Sequence, residues 1–199
     1  MNGYTSLNHA MLKSGTQLLQ PVHNRAGATS LDQPALEVMT DFLEVRPLTI
    51  APTECIDQAN ARMIHCGVRL LFVLQADCAV AGLITSSDIL GEKPYQYLKE
   101  HGGNRNDILV QDIMLPINRL EALYFDEVQR ARVGNVAATL KTAGRQHLLV
   151  VDRITEQWTD SIRGMFSASQ LALQLGIDLE SDLRAGNFAE LGTVIQQSM

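Results

Sequence analysis

Cysteine is scarce in this chain, and Cys55, Cys66 and Cys78 show no CxxC spacing and are odd in number. That argues against a disulfide framework, and a reduced, cytoplasmic setting is the expectation. Aromatic residues make up only 5% of a sequence that is 46% hydrophobic, so its core must be aliphatic. Basic residues are also few: 16 Lys and Arg stand against 22 Asp and Glu, for a net charge of −6. A general nucleic-acid binder needs a basic face for phosphates, so this balance excludes that class while leaving room for a small local anion site. No apolar run approaches the length of a bilayer span. Met1 to Gln20 has neither the basic start nor the continuous apolar segment of a signal peptide. The chemical motifs are missing too. There is no G-x-x-x-x-G-K-[ST], HExxH or G-x-S-x-G. His9, His23 and His101 are scattered through polar segments and make no metal set with the cysteines. Cys55 and His65 lie ten positions apart on one expected helix, a core placement rather than a nucleophile and its base. No catalytic constellation is present, and the expectation is a protein that is not an enzyme and requires no cofactor or metal.

What the chain does have is a repeat. Gly82-Leu83-Ile84-Thr85-Ser86-Ser87-Asp88 returns 82 positions later (164 − 82) as Gly164-Met165-Phe166-Ser167-Ala168-Ser169-Gln170. In each copy a glycine opens a short apolar run, a hydroxyl residue closes it, and a polar side chain follows three positions on. Upstream, Cys66-Gly67-Val68-Arg69-Leu70-Leu71-Phe72-Val73-Leu74 matches Ala143-Gly144-Arg145-Gln146-His147-Leu148-Leu149-Val150-Val151, and Val38-Met39-Thr40-Asp41-Phe42 matches Ile113-Met114-Leu115-Pro116. A period this long indicates two whole small units packed together rather than an open solenoid.

Residues 1–34 are polar and read as a tail, with a short amphipathic stretch from Leu7 to Leu19. The first unit with its linker covers 35–106, the second 107–177, and 178–199 is a partly helical terminal segment. In the first unit, Leu48-Thr49-Ile50 is a short strand stopped by Pro52, and Thr53 is placed to cap the helix that follows. Ile56, Ala59, Met63 and Ile64 fall on that helix's inner face, and Gly67 ends it. Leu70 to Leu74 and Val80 to Ile84 are buried strands. Ser86 to Leu90 opens a second helix, interrupted by Gly91 and Pro94 and resumed over Tyr95 to His101. The second unit repeats the order: a strand at Leu120 to Leu123, a helix through Val133, Val136, Ala137 and Leu140 to Gly144, strands at His147 to Val151 and Ser161 to Phe166, and a helix from Ala168 to Leu175. Extra residues around Asp126 to Arg132 are read as a longer loop or an added helical turn. Asp152 to Asp160, with the lone Trp158, is read as a polar turn. Each unit is thus strand–helix–strand–strand–helix. A three-stranded sheet with two helices leaves one sheet face bare, and a second copy placed against it supplies the missing layer.

These residues resemble the CBS domain, present as a tandem pair, a Bateman module. The resemblance spans Ala35 to Gly176 and rests on Val38-Met39-Thr40, Gly67-Val68-Arg69-Leu70-Leu71-Phe72-Val73, Gly82-Leu83-Ile84-Thr85-Ser86-Ser87-Asp88, Asp112-Ile113-Met114, His147-Leu148-Leu149-Val150-Val151-Asp152 and Gly164-Met165-Phe166-Ser167. It implies an α+β fold in which two β-α-β-β-α units pack as a pseudo-two-fold pair. It also implies an adenosine-containing ligand in the cleft between them and assembly into a homodimeric disc.

The candidate ligand residues follow the repeat. Thr85 stands where a strand passes into a helix, so its hydroxyl can accept from the first amides of the helix or donate to a phosphate held there. Asp88 lies in the first turn, where a carboxylate can take two hydrogen bonds from a ribose diol or simply favour the helix dipole. In the family these positions contact phosphate and ribose. The second copy keeps a hydroxyl at Ser167 but has Gln170 in place of the acid. A neutral amide lacks charge assistance, so the expectation is a better first site and a weaker or altered second one. Arg69 and His147, at the starts of their buried strands, can offer cations to a phosphate or be a solvated strand end and a packed histidine. Gly82 precedes the apolar run, and Ile50, Ile84 and Phe166 are wall candidates for an adenine ring or ordinary core.

Three functions compete. The first is a non-catalytic sensor that binds AMP, ADP, ATP or S-adenosylmethionine and signals to an effector protein by a change of shape or assembly. The second is a dimerisation scaffold with degenerate pockets, and the third is an enzyme acting on a nucleotide. Membrane and nucleic-acid partners are not expected, and a homodimer is.

Overall fold

A computed structural model describes residues 29–154 and 159–176. In chain order the elements are β1 (Thr40–Asp41), β2 (Thr49–Ile50), α1 (Ile56–Cys66), β3 (Leu70–Leu74), β4 (Val80–Thr85), α2 (Ser86–Leu90) and α3 (Lys93–His101). They continue as α4 (Val110–Ile113), β5 (Leu115–Pro116), β6 (Ala122–Tyr124), α5 (Phe125–Val128), α6 (Val133–Ala143), β7 (His147–Ile154), β8 (Thr159–Ser167) and α7 (Ala168–Leu175). None of the described helices is long and apolar enough to cross a membrane. The strand–helix–strand–strand–helix order holds in both copies. The added residues of the second copy form α5, whose Val128 is buried.

The strands make two sheets, ordered β2-β3-β4-β5 and β1-β8-β7-β6. Each sheet has a parallel pair, β2 with β3 and β6 with β7, and an antiparallel hairpin, β3 with β4 and β7 with β8. The fourth strand is exchanged. β5, which leads into the second copy, pairs with β4 of the first through Gly82↔Pro116 and Leu83↔Leu115. β1, which leads into the first copy, pairs with β8 of the second through Thr40↔Met165 and Asp41↔Gly164. The crossing extends beyond the strands. Residues 29–35 bond by their backbone to Gln174, Ala131, Val133 and Gly134 of the second copy, while Ile108 and Val110 bond to Ile56 and Glu54 of the first. Residues 29–34, read as the end of the tail, are therefore built into the second unit.

The exchange accounts for the repeated glycines. A Cβ on Gly82 would overlap the Leu115 carbonyl oxygen and stand 3.0 Å from Pro116 Cα. On Gly164 it would come within 2.6 Å of the Thr40 carbonyl. Only glycine lets the exchanged strand approach so closely.

Burial follows the two-residue period of the strands. Leu71, Val73 and Ile84 face the first copy's helices with Ile56, Ala59, Met63 and Ile89, and a bulge opposite Val73 and Leu74 brings Ala81 to the same side. Leu148, Val150 and Phe166 do the same in the second copy with Val133, Val136, Ala137 and Leu140. The other strand faces meet at a seam built on Leu70, Phe72, Leu83 and Leu149, flanked by Phe42, Leu115, Leu120, Ile162 and Met165. Each large apolar side chain fully buried there is worth about 1.5–3 kcal/mol. Both faces of β3 are covered, which is why Leu70 to Leu74 is an unbroken apolar run.

Three local expectations are corrected. Cys55, not Thr53, caps α1, with its amide donating to Gln58 Oε1 at 3.1 Å. Residues 54–56 pair with 108–110, and that delays the helix start. Ile64 is 73% exposed. It lies about 80° around the helix from Ile56, and Met63 takes the inner position instead. The polar turn expected over Asp152 to Asp160 is shortened, because β7 runs to Ile154 and β8 begins at Thr159. Trp158, the stretch Leu7 to Leu19 and residues 178–199 lie outside the described residues.

Candidate functional site

Two clefts open along the seam, one on either side of His147. The first, of about 220 Å³, is walled by Leu83, Leu115, Leu120 and Leu149 and carries Thr85, Asp88, Arg119, Glu121, Arg145 and His147. The second, of about 290 Å³, is walled by Phe42, Leu48, Leu70, Phe72 and Met165 and carries Thr40, Arg46, Arg69, His147 and Gln170. Both volumes fall just below the usual range for ligand pockets, about 300–1,000 Å³. Each cleft draws residues from both copies, so an occupant of either would touch both units.

In the first cleft Thr85 caps α2. Its hydroxyl accepts from the Asp88 amide at 3.2 Å and donates to Asp88 Oδ2 at 2.6 Å, while its own amide donates to the same oxygen at 2.8 Å. Lys93 Nζ sits 2.7 Å from Asp88 Oδ1 and also donates to the Ile113 carbonyl at 2.9 Å. A carboxylate has about four acceptor sites, and three are taken by Thr85 and Lys93. Asp88 can accept one further hydroxyl, not the two of a diol. The capping role is realised here, and it uses the Thr85 proton that a phosphate would need.

The second copy is looser. Ser167 occupies the cap position of α7 without a side-chain cap, its hydroxyl 3.3 Å from that of Ser169. Gln170 reaches the second cleft alongside Arg69. His147 lines both clefts. Burial, and then the neighbouring Arg69 guanidinium, push its imidazole down to about 4. It is neutral at pH 7, a hydrogen-bonding group rather than a cation.

The remaining candidates divide between the exchanged strand, the core and the clefts. Gly82 packs against β5. Ile84, Ile50 and Phe166 take the core alternative and face the helices, while strand alternation turns Leu83 and Met165, the neighbours of Ile84 and Phe166, to the seam. Thr85 and Asp88 line the first cleft with His147, and Arg69 lines the second with Gln170.

The clefts also hold arginines that the repeat comparison passed over. Arg46 and Arg119 each stand three residues before the first residue of a parallel edge strand, Thr49 and Ala122. Those residues pair with Phe72 and Leu149, which are equivalent in the repeat. The two arginines are thus counterparts, at an offset of 73 (119 − 46) rather than 82. Neither has an ion-pair partner among the described residues, whereas Arg145 lies 3.5 Å from Glu121. A wider groove of about 780 Å³ lies between the β1 segment and Phe125. Its cation is committed: Arg163 makes two 2.8 Å bonds to Asp41, which hold that carboxyl below its ordinary range, and stacks on Phe125 at 4.7 Å. Among the described residues no His, Cys, Asp or Glu cluster fits a metal ion.

Solved structures share this arrangement. A conserved, uncharacterized protein of Pyrococcus horikoshii is 23% identical, with a TM-score of 0.51 over 72% of this chain and 92% of its own. CBSX2, a CBS-pair protein of Arabidopsis thaliana solved in complex with AMP, is 15% identical, with a TM-score of 0.50 over 78% and 99%. The AcuB protein of Vibrio cholerae is 16% identical, with a TM-score of 0.50 over 78% and 98%. No family model matches the sequence, and no curated protein matches it.

Proposed function

We propose that this chain, which has the tandem CBS-pair fold, is a non-catalytic sensor that binds an adenosine-containing nucleotide in its seam clefts and passes the signal to an effector protein. The observation that carries the reading is the pair of equivalent clefts. Each has a leucine- or phenylalanine-lined wall, an arginine at the same strand-entry position, and side chains from both copies. AMP in the complex of CBSX2, a protein of the same fold, supports the choice of adenosine ligands for a first panel. A ligand that touches both copies has different affinities for different placements of one unit against the other, and that difference is what shifts an equilibrium. The output would be a change of shape or of dimer equilibrium. Ile64 on α1, Leu90 on α2 and Tyr95 on α3 are 73, 69 and 72% exposed on elements that follow one another around the first unit. Large apolar side chains left in water there favour a symmetric homodimer.

The test is thermal denaturation with AMP, ADP, ATP and S-adenosylmethionine, with GMP as comparison. A ligand at one hundred times its Kd adds about 2.7 kcal/mol, or roughly 5–11 °C for a domain of this size. Adenosine ligands should raise the Tm by that much and GMP by less. A Tm unmoved by every ligand at millimolar concentration, with a dimer in sedimentation, would instead establish the scaffold.

A further inference from the structure

The two clefts differ in charge, and the repeat shows where the difference arises. The first cleft carries Arg119 and Arg145 together with two carboxylates, Glu121 beside Arg145 and Asp88 beside Lys93, so Arg119 is its one cation without an ion-pair partner among the described residues. In the second copy's arrangement the counterparts of those two acids are neutral. Asp88 corresponds to Gln170, and Glu121, which precedes β6, corresponds to Leu48, which precedes β2. The second cleft keeps two arginines, Arg46 and Arg69, with no carboxylate among its lining residues. Neither guanidinium has an ion-pair partner among the described residues. The floor between them is apolar and aromatic, with Phe42 and Phe72 edge to face at 5.4 Å, and Gln170 and Thr40 supply neutral hydrogen-bonding groups. A guanidinium binds phosphate oxygens through paired N–H groups, so two of them without a competing acid favour the most highly charged form of a ligand.

We infer that the Arg46–Arg69 cleft selects a nucleoside triphosphate over the corresponding monophosphate, while the acid-bearing Thr85–Asp88 cleft, with Arg119 as its one unopposed arginine, does not discriminate by phosphate number. This rests on the nucleotide reading above. It also reverses the order of the two sites expected from the acid alone: the acid-free cleft is the stronger anion site.

The experiment is titration calorimetry at 0.15 M salt, without divalent metal, using AMP, ATP and inorganic tripolyphosphate. The proteins are wild type, Arg46→Gln, Arg69→Gln, Arg69→Lys, Arg119→Gln and the charge control Arg62→Gln on the exposed surface of α1. In wild type, ATP should bind at one site at least tenfold more tightly than AMP, and tripolyphosphate should compete there. Arg46→Gln and Arg69→Gln should each cut ATP affinity at that site about tenfold or more, with AMP changed less than threefold. Arg69→Lys should restore part of the loss, and Arg62→Gln should leave it intact. Equal affinities of ATP and AMP in wild type would overturn the inference, as would an Arg119→Gln loss of ATP selectivity equal to that of Arg69→Gln. If no nucleotide binds, the proposed function fails. Tripolyphosphate then decides separately: binding that disappears in Arg69→Gln sustains the anion site, and no binding removes it. Unchanged melting curves of the free variants establish that the fold is intact.

Discussion

Replacing Gly82 by alanine adds one methyl group at the tightest point of the strand exchange. That carbon would overlap the Leu115 carbonyl oxygen and stand only 3.0 Å from Pro116 Cα, both backbone atoms that no rotamer change can move away. To admit it, β5 must shift outward. The shift strains the Gly82↔Pro116 and Leu83↔Leu115 pairing and lifts Leu115 from the seam, where it packs beside Leu83. Overpacking of this kind costs about 1–3 kcal/mol, and each weakened backbone hydrogen bond about 1 kcal/mol more. Against this, alanine restricts the unfolded chain, a gain of about 0.4–1 kcal/mol. The net destabilisation is about 2 kcal/mol, a fall in Tm of roughly 4–8 °C. Gly164→Ala should fall less, because its nearest backbone atom, the Thr40 oxygen, stands at 2.6 Å and its other neighbours are the flexible Met39 side chain. Gly67→Ala, at φ +66° with open space around it, tests the opposite mechanism, strain without crowding. Calorimetric melting of the three variants separates the causes. A Gly82→Ala Tm within 1 °C of wild type would refute the close approach of β5, and with it the exchange as the reason for the repeated glycine.

Two further perturbations probe separate parts of the fold. His147 is held down to about 4 by burial and by Arg69, against about 6.5 in the unfolded chain. Between those values the unfolded state takes up a proton that the native state refuses, so stability falls as pH drops from 6.5 toward 4 and levels off below; the contribution is worth about 3 kcal/mol. Nucleotide-free urea melts of wild type and His147→Gln should diverge over that window, and parallel profiles would disprove it. The lowered Asp41 acts beneath it, its stabilisation being lost only as pH falls further. Cys78 holds φ +66° in the β3–β4 turn, a conformation that costs an L-residue about 1–2 kcal/mol. Cys78→Gly should gain about 0.5–1 kcal/mol after its own unfolded-state entropy, visible as a Tm rise of roughly 1–4 °C; a lower Tm would mean that the turn does not need that conformation.

The order of elements was readable because each carries its own local signal. Gly67 and Gly144 end their helices at φ +66° and +60°, the unbroken apolar runs mark strands covered on both sides, and the repeat checks one copy against the other. The exchange was not readable in the same way. β1 and β5 are two residues long, too short to show a period, and their pairing partners lie in the distant copy. The echo of Val38-Met39-Thr40 in Ile113-Met114-Leu115 was visible as similarity, yet similarity does not say which sheet a strand joins. The glycines at 82 and 164 carried the missing information, because a strand interior keeps glycine where another backbone comes close.

The site divides along the same line. Thr85, Asp88 and Gln170 stood out because a hydroxyl or amide at a helix start carries a local chemical meaning. The walls did not, because Leu83 and Ile84 are neighbours of the same type and one position decides between seam and core. In a strand with both faces buried, no polar residue breaks the tie. Arg46 and Arg119 lay hidden for a geometric reason. The second copy inserts α5 between its first strand and first helix and also has the longer hairpin β7–β8, so the offset between equivalent residues rises from 73 before α5 to 77 after it and to 82 beyond the hairpin (119 − 46, 144 − 67 and 164 − 82). The repeat therefore has to be aligned by strand pairing rather than by a constant shift. Once Thr49 and Ala122 are matched through Phe72 and Leu149, the arginines coincide, and so does the replacement of both first-cleft acids by Leu48 and Gln170. Duplication preserved the frame of two clefts while substitution left two carboxylates and one unopposed arginine in the first and two unopposed arginines with no carboxylate in the second, and it is this asymmetry, rather than the presence of an acid in the first copy, that sets where the more anionic ligand should go.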